Sequence, residues 1–378
     1  MRNSMPADEA SELSFQFAGF EQAKEGHIVR HRYSDFAAFA QEMSALSGMT
    51  LPLPPKKMFG NTDKAFLQKR MQGLKHMLDL IAAHPILRLT LPFKRFLDPA
   101  TYGRDFRNSA ERGLFMFLRS EASWRVLEQL YGIGWRVTKM HATVLNQGYT
   151  SQDQSAPQLL TWVPIPATSF VPTELLNSVL KYIAGISHPF IAGASLGCVH
   201  GAEEPGAILV RALAPKGSLR DLIARNKNPK LPFARKYVGK KPKGLDVRTV
   251  RLFGRQILEA LKFLHDRGLP YGHLHAGNVL VISDRFCQIT DVENGVLGLP
   301  SLYSGHITEL KKISTLELCD VYCFGQLLYE VTASVCVFGC VDVNMAKAQQ
   351  QVGLIMARVM MQYRHVNMGQ LHCSVHAY

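Results

Sequence analysis

The sequence has no apolar run long enough to span a membrane. One of the longest, Val335 to Val341, is far short of the ~20 residues a spanning helix needs. It has no charged-then-apolar opening either. Met1 to Phe15 is mixed and polar, so no secretory signal is expected. Cysteine is sparse and odd in number, seven in 378 residues. That excludes a secreted disulfide scaffold and leaves a reduced, cytoplasmic protein as the expectation. Cys336, Cys340, His372 and Cys373 follow no zinc-ligand spacing; the cysteines are taken as free thiols, and no metal site is assigned. No aromatic-rich single-strand platform and no recognition-helix pattern stands beside the positive charge, so nucleic acid is not expected as a partner.

Positive charge is what the chain has in excess. There are 43 Lys and Arg against 30 Asp and Glu, a net +13. The excess is concentrated: Lys216 to Lys243 holds ten basic residues and one acidic, with Pro229, Pro232 and Pro242 among them. Such a run predicts an exposed loop, suited either to an anionic surface or merely to keeping the protein in solution. Hydrophobic residues make up 47% of the chain, which excludes wholesale disorder. The length suits two domains.

In the first hundred residues, His27 to Tyr33 has the alternation of a short strand. Ser34 is a candidate helix N-cap, with Phe36, Phe39 and Met43 at helical spacing. Leu51-Pro-Leu-Pro-Pro-Lys-Lys57 is forced toward polyproline II. Phe66, Met71, Leu74, Met77, Leu78 and Ile81 then mark a longer helix, with Arg70 on an adjoining face. Together these elements deliver cations from distant points in the chain. A phosphorylated sugar headgroup needs such an arrangement, with a flat ring to stack on.

These motifs, Arg32-Tyr-Ser-Asp-Phe36, Leu53-Pro-Pro-Lys56 followed by Phe59-Gly-Asn61, and Phe66 to Leu74, resemble the PX (phox homology) domain of sorting nexins. The resemblance implies binding of phosphatidylinositol 3-phosphate. Arg32 would hold the 3-phosphate, Tyr33 would lie under the inositol ring, Lys56 would meet the 1-phosphate and Arg70 the ring hydroxyls. His31 stands where that family often has a second arginine. Only about thirty residues precede the motif, so the family's first strand is expected to be short or missing. Pro52-x-x-Pro55-x-Lys57 also has the spacing of an SH3-domain ligand, a rival use of the same stretch.

After a polar link the pattern changes. Leu245 to His265 is amphipathic, with Asp246 as candidate N-cap and Gly268 and Pro270 as stops. Two β runs, Val279 to Ile282 and Phe286 to Thr290, flank the turn Ser283-Asp284. The segments His188 to Ile191, Ala207 to Val210, Gly217 to Ile223, Leu261 to Gly268, Tyr271 to Asn278 and Asp320 to Gly325 resemble, in order, parts of a protein kinase. Aligned on Asn278, the catalytic Asp position holds His273 and the Arg before it is Gly272. The Asp-Phe-Gly triplet reads Asp291-Val-Glu293. The resemblance thus keeps a metal pair, Asn278 and Asp291, and loses the proton-accepting carboxylate. Pro166 falls where a phosphate-gripping lysine should stand. Glu174 is the only carboxylate near the lysine's usual partner position. Gly132-Ile-Gly134 is an ordinary turn signal. Arg211 falls at or beside the gatekeeper, a cation where adenine needs an apolar wall.

The expected fold class is α+β. It comprises a PX domain of small antiparallel sheet, helices and polyproline loop, then a truncated bilobal kinase-like fold. The boundaries are residues 1–100, a linker at 101–110, the kinase-like domain at 111–335 and an atypical tail at 336–378. In that tail, Met345 to Arg364 has a helical, Met-rich pattern. This order resembles the PX-domain-containing protein kinase-like family, related to Slowpoke-binding proteins. The resemblance implies a cytoplasmic adaptor without required cofactors, recruited peripherally to endosomal or plasma membrane. It would act in endocytic trafficking of receptors or ion pumps. ATP and Mg2+ at Asn278 and Asp291 stay open, as does a Ser/Thr kinase using His273 as base.

Overall fold

A computed structural model describes residues 13–17, 27–56, 64–103, 106–121, 123–147, 156–165, 171–201, 204–304, 313 and 315–333. Pro166, Lys57, the Phe59-Gly-Asn61 motif and the tail beyond residue 333 lie outside them, and with the tail its cysteines and Met-rich pattern. The fold separates into two compact units. The first comprises residues 1–165, 198–210 and 230–240, the second 166–197, 211–229 and 241–378.

The first unit begins with an antiparallel pair, β1 (Leu13–Phe17) and β2 (His27–His31), in register from Leu13 opposite His31 to Phe17 opposite His27. The first strand is therefore present and short. Helix α1 (Tyr33–Ser47) starts one residue before the expected cap. Arg32 is the N-cap residue, because the Asp35 carboxylate in the first turn accepts the Arg32 backbone N–H at 2.8 Å. Helix α2 (Lys64–Ala83) buries Leu74, Met77, Leu78 and Ile81 as expected, and also Arg70. Met71 stays exposed, because the one-turn spacing back from Leu74 falls on Arg70. Helices α3 (Leu91–Leu97) and α4 (Pro99–Tyr102) follow, and α5 (Phe106–Ser120) begins within the stretch expected as a linker. Phe36, Phe39, Met43, Leu74, Phe93 and Phe96 form the apolar centre, with Phe39 stacked on Phe96 at 4.3 Å. Each such side chain contributes roughly 1.5–3 kcal/mol through burial.

The same unit contains β3 (Trp124–Leu130), β4 (Met140–Asn146) and β5 (Gln158–Pro164), paired antiparallel. Gly132 and Gly134 lie in the turn between β3 and β4. The sheet continues to the order β3-β4-β5-β7-β6. Its last strands are β6 (Ala194–His200) and β7 (Gly206–Ala212), of which residues 198–200 and 206–210 fall in this unit.

The second unit holds helix α6 (Thr173–Ala184) and helix α7 (Leu219–Ile223). The basic segment is exposed at most of its cations, as its composition predicts, but it is not an uninterrupted loop. It forms α7, a further helix α8 (Phe233–Tyr237) in the first unit, and several pairings. Arg220 is buried, Lys216 meets Asp284 at 2.6 Å, and Lys230 meets Glu128 at 2.6 Å. Within the first unit α8 packs on α1, and Arg235 donates to the Ala45 carbonyl at 2.8 Å. Pro232 is the N-cap residue of α8, so this proline opens a helix.

Helix α9 (Val247–His265) opens where expected: the Asp246 carboxylate accepts the backbone N–H groups of Arg248 and Thr249. It buries Val250, Phe253, Ile257, Leu261 and Leu264 against the hairpin of β8 (Val279–Ser283) and β9 (Phe286–Ile289) and helix α10 (Leu316–Ala333). No helix among the described residues is long and apolar enough to cross a membrane.

Candidate functional site

In the first unit, a loop and two helices meet at Tyr33 and Arg70. The Tyr33 hydroxyl donates to the Pro54 carbonyl. The Arg70 guanidinium lies 4.6 Å from the Tyr33 ring centre and 4.4 Å from that of Phe66, and donates to the Pro55 carbonyl at 3.4 Å. Arg70 is only 7% exposed, and its Nε is buried without a hydrogen-bond partner among the described residues. Gly73 lets the polyproline loop reach α2. A Cβ there would come within 2.6 Å of the Pro54 ring. Two of the four expected headgroup residues, Tyr33 and Arg70, are thus in contact. The other two, Arg32 and Lys56, are exposed, and each adjoins a residue of this cluster in the chain. Pro52 and Pro55 are exposed, while the Pro54 and Pro55 carbonyls face inward to Tyr33 and Arg70. His31, at the second-arginine position, is committed to the fold: it stacks on Phe96 at 3.9 Å and pairs through Nε2 with the Phe96 carbonyl at 2.7 Å.

In the second unit, the buried Asp320 carboxylate organises the loop before Asn278. It accepts the backbone N–H groups of Tyr271 at 2.8 Å and Gly272 at 2.6 Å, and pairs with His265 Nε2 at 2.8 Å. Gly272 has φ +68°, a left-handed conformation that costs a side-chain-bearing residue strain. The Tyr271 hydroxyl donates to the Thr290 carbonyl at 2.6 Å. Burial, with the Asp291 charge nearby, pushes its pKa well up, so it remains a neutral donor. The Asn278 amide donates to the His273 carbonyl at 3.0 Å. His273 is buried, 5% exposed, a poor position for taking a proton from an incoming hydroxyl. Glu174, in the first turn of α6, is exposed.

Arg211 differs most from expectation. It is not a cation set against an apolar wall. Its guanidinium pairs with both oxygens of Glu293, at 2.5 and 3.3 Å, and stands 3.9 Å from Asp291 Oδ1. Arg211 is 5% exposed and Glu293 fully buried. Desolvation pulls the guanidinium pKa down, and the Glu293 and Asp291 charges more than restore it, leaving it raised. This pair was missed because each partner was weighed alone. Two unlike charges, both at positions where the kinase resemblance has uncharged residues, were the available signal.

The kinase resemblance also implies a divalent ion and nucleotide, and the residues present do not fit them. The Asn278 NH2 donates to the loop, which leaves only its Oδ1 as a ligand, and a cation already stands beside Asp291. The Arg211 guanidinium repels an ion approaching Asp291, and one of the two carboxylates that could offset this, Glu293, is already spent on that guanidinium. Among the described residues, no group of three or more His, Cys, Asp or Glu side chains could hold a metal.

Residues 21–100 match the family model described as PX domain, and residues 171–296 the model described as protein tyrosine and serine/threonine kinase. The chain joins a PX domain to a kinase-like domain. It is 40% identical, over 83% of its length, to a PX domain-containing protein kinase-like protein of Mus musculus, covering 52% of that protein. It is related to Slowpoke-binding protein of Drosophila melanogaster, 38% identical over 46% of this chain and 35% of the relative. A Dictyostelium discoideum protein named probable inactive serine/threonine-protein kinase slob2 is 35% identical over 57% of this chain and 37% of its own. The chain spans about half, or less, of the length of these curated relatives.

The kinase-like unit carries a pH prediction. The hydrogen bond that His265 donates to the Asp320 carboxylate raises the His265 pKa above 6.5, outweighing desolvation. The folded state therefore favours protonated His265. Its contribution is complete below pH 6.5 and is lost as pH rises through the raised folded value. Burial lowers the pKa values of His84 and His188, whose contributions weaken on the acid side instead. The difference between the thermal midpoints of wild type and His265→Gln isolates the first effect. It is expected to be largest near about pH 6 and to shrink toward about pH 8.5. A difference constant across that range would contradict the assignment.

Proposed function

We propose that the chain is a phosphatidylinositol 3-phosphate-binding adaptor, recruited from the cytoplasm to endosomal or plasma membrane. In this role it serves endocytic trafficking of receptor or ion-pump cargo, and its kinase-like domain does not transfer phosphate. The observation that carries the lipid reading is the cluster at Arg70. A buried guanidinium, stacked on Tyr33 and tied to the polyproline loop, keeps an Nε donor with no partner among the described residues, and a buried donor without a partner is costly until an acceptor arrives. Arg32 and Lys56, exposed beside it, supply charge for phosphate groups. Loss of the catalytic carboxylate at His273 and the Arg211 pairing support a silent phosphotransferase.

Sedimentation with vesicles, with and without phosphatidylinositol 3-phosphate, tests the lipid reading. Arg32 is exposed and free of the core, so Arg32→Ala should leave folding intact. Charge-assisted hydrogen bonds are worth about 1.5–3 kcal/mol, so binding is expected to weaken roughly tenfold to a hundredfold. Equal binding by wild type and variant would end the proposal.

A further inference from the structure

We propose that Arg211 is the resident cation of the kinase-like site, standing beside Asp291 where the resemblance calls for a divalent ion. The chain then holds its Asp291 segment without metal and binds no divalent–nucleotide complex through Asp291. A domain silent in catalysis can still bind nucleotide, so this goes beyond the proposed function, and it does not rest on the lipid reading.

The argument begins with burial. A guanidinium and a carboxylate that are both withdrawn from water must neutralise each other, since either alone is an uncompensated buried charge. Arg211 and Glu293 do so in a two-pronged pair, at 2.5 and 3.3 Å. Either substitution alone would be damaging in a kinase-like site; together they make one device. Asp291 is the third member, its Oδ1 3.9 Å from the guanidinium. The three groups sum to a single negative charge, and the carboxylate two residues beyond Asp291 is already engaged.

The segment is also held from both sides without a ligand. Upstream, the Tyr271 hydroxyl bonds the Thr290 carbonyl, and the Thr290 N–H donates to the Asn278 carbonyl at 3.0 Å. Downstream, the Asn294 N–H returns to the Asp291 carbonyl at 3.1 Å and the Leu297 N–H to that of Glu293 at 2.9 Å. The Asn278 NH2 is bonded into the loop at the His273 carbonyl, which fixes that side chain without a ligand, so it is Arg211 that opposes an ion. An arriving divalent ion would have to displace or tolerate a cation that the fold keeps in place by burial.

The test titrates the full chain with Mn2+ and ADP, reading bound Mn2+ by paramagnetic resonance and the unfolding midpoint by calorimetry. Wild type and Asp291→Asn are expected to behave alike, with no saturable Mn2+ binding and no shift of the midpoint. The charge-neutral double variant Arg211→Met, Glu293→Gln removes the resident cation without stranding its partner. It is expected to bind Mn2+–ADP roughly tenfold or more tightly than wild type, and to lose that gain when Asp291→Asn is added. Mn2+–ADP binding by wild type that Asp291→Asn abolishes would overturn the proposal. So would a folded double variant that gains nothing. Should the double variant fail to fold, the comparison of wild type with Asp291→Asn decides the matter: identical titrations uphold the assignment, and an Asp291-dependent difference refutes it. Vesicle sedimentation of the same wild-type preparation reports on the lipid reading separately.

Discussion

Replacing Glu330 with alanine is expected to destabilise the second unit by about 3–5 kcal/mol. Glu330 lies on α10 and is fully buried, and both its oxygens are taken by Arg220 on α7, at 2.8 and 3.0 Å. Removing the carboxylate leaves a guanidinium, 3% exposed, with neither water nor that partner, and the cost of stranding a buried charge exceeds the net worth of the pair. The double replacement Arg220→Met, Glu330→Leu removes both charges of the pair together and is expected to recover most of the loss. Urea unfolding checks both expectations through the transition midpoint. A single variant that loses less than about 1 kcal/mol would mean that the pair behaves like an exposed ion pair.

In the first unit, Gly73→Val is expected to abolish most of the proposed lipid binding without altering a single charge. In an exposed helix, replacing glycine usually gains up to about 1 kcal/mol in helix propensity with alanine, and less with valine. Here an added Cβ meets the Pro54 ring at 2.6 Å, so loop and helix must part. The Tyr33–Pro54 and Arg70–Pro55 bonds both depend on that contact. Vesicle binding is expected to fall about tenfold or more, while far-ultraviolet circular dichroism keeps the helical signal of α2. Wild-type binding by this variant would show that the headgroup cup does not need the docked loop. Arg32→Ala acts by removing a charge and Gly73→Val by moving a wall, so agreement between them would locate the lipid at their common neighbourhood.

The sequence was legible wherever the signal was local. The stripe of α9 and its Asp246 cap, the β8–β9 hairpin and the core positions of α1 all follow from period and turn chemistry within twenty residues. Tyr33 and Arg70 were also found, through their motifs, and they do meet. What could not be read were pairings between remote residues. Arg211 and Glu293 are 82 positions apart, Arg220 and Glu330 are 110. Neither member of such a pair alters the local pattern around the other. A charge count over residues 216–243 registers cations but not the carboxylates that meet them. Hence the basic segment proved to carry two short helices and the buried Arg220 and Lys236, while most of its cations are exposed as its composition predicts. Met71 failed for a different reason: hydrophobicity ranked it above Arg70, yet helix geometry aligned Arg70 with Leu74, and the neighbouring rings of Tyr33 and Phe66 made a cation acceptable there.

The packing of α8 on α1 has a consequence for how the protein is made. Arg235 and Ala45 are 190 residues apart in the chain. At translation rates of about 5–20 residues per second, α1 leaves the ribosome on the order of ten seconds or more before its covering helix exists. During that interval α1 folds without α8, so this contact joins only after the core of α1 can already have formed.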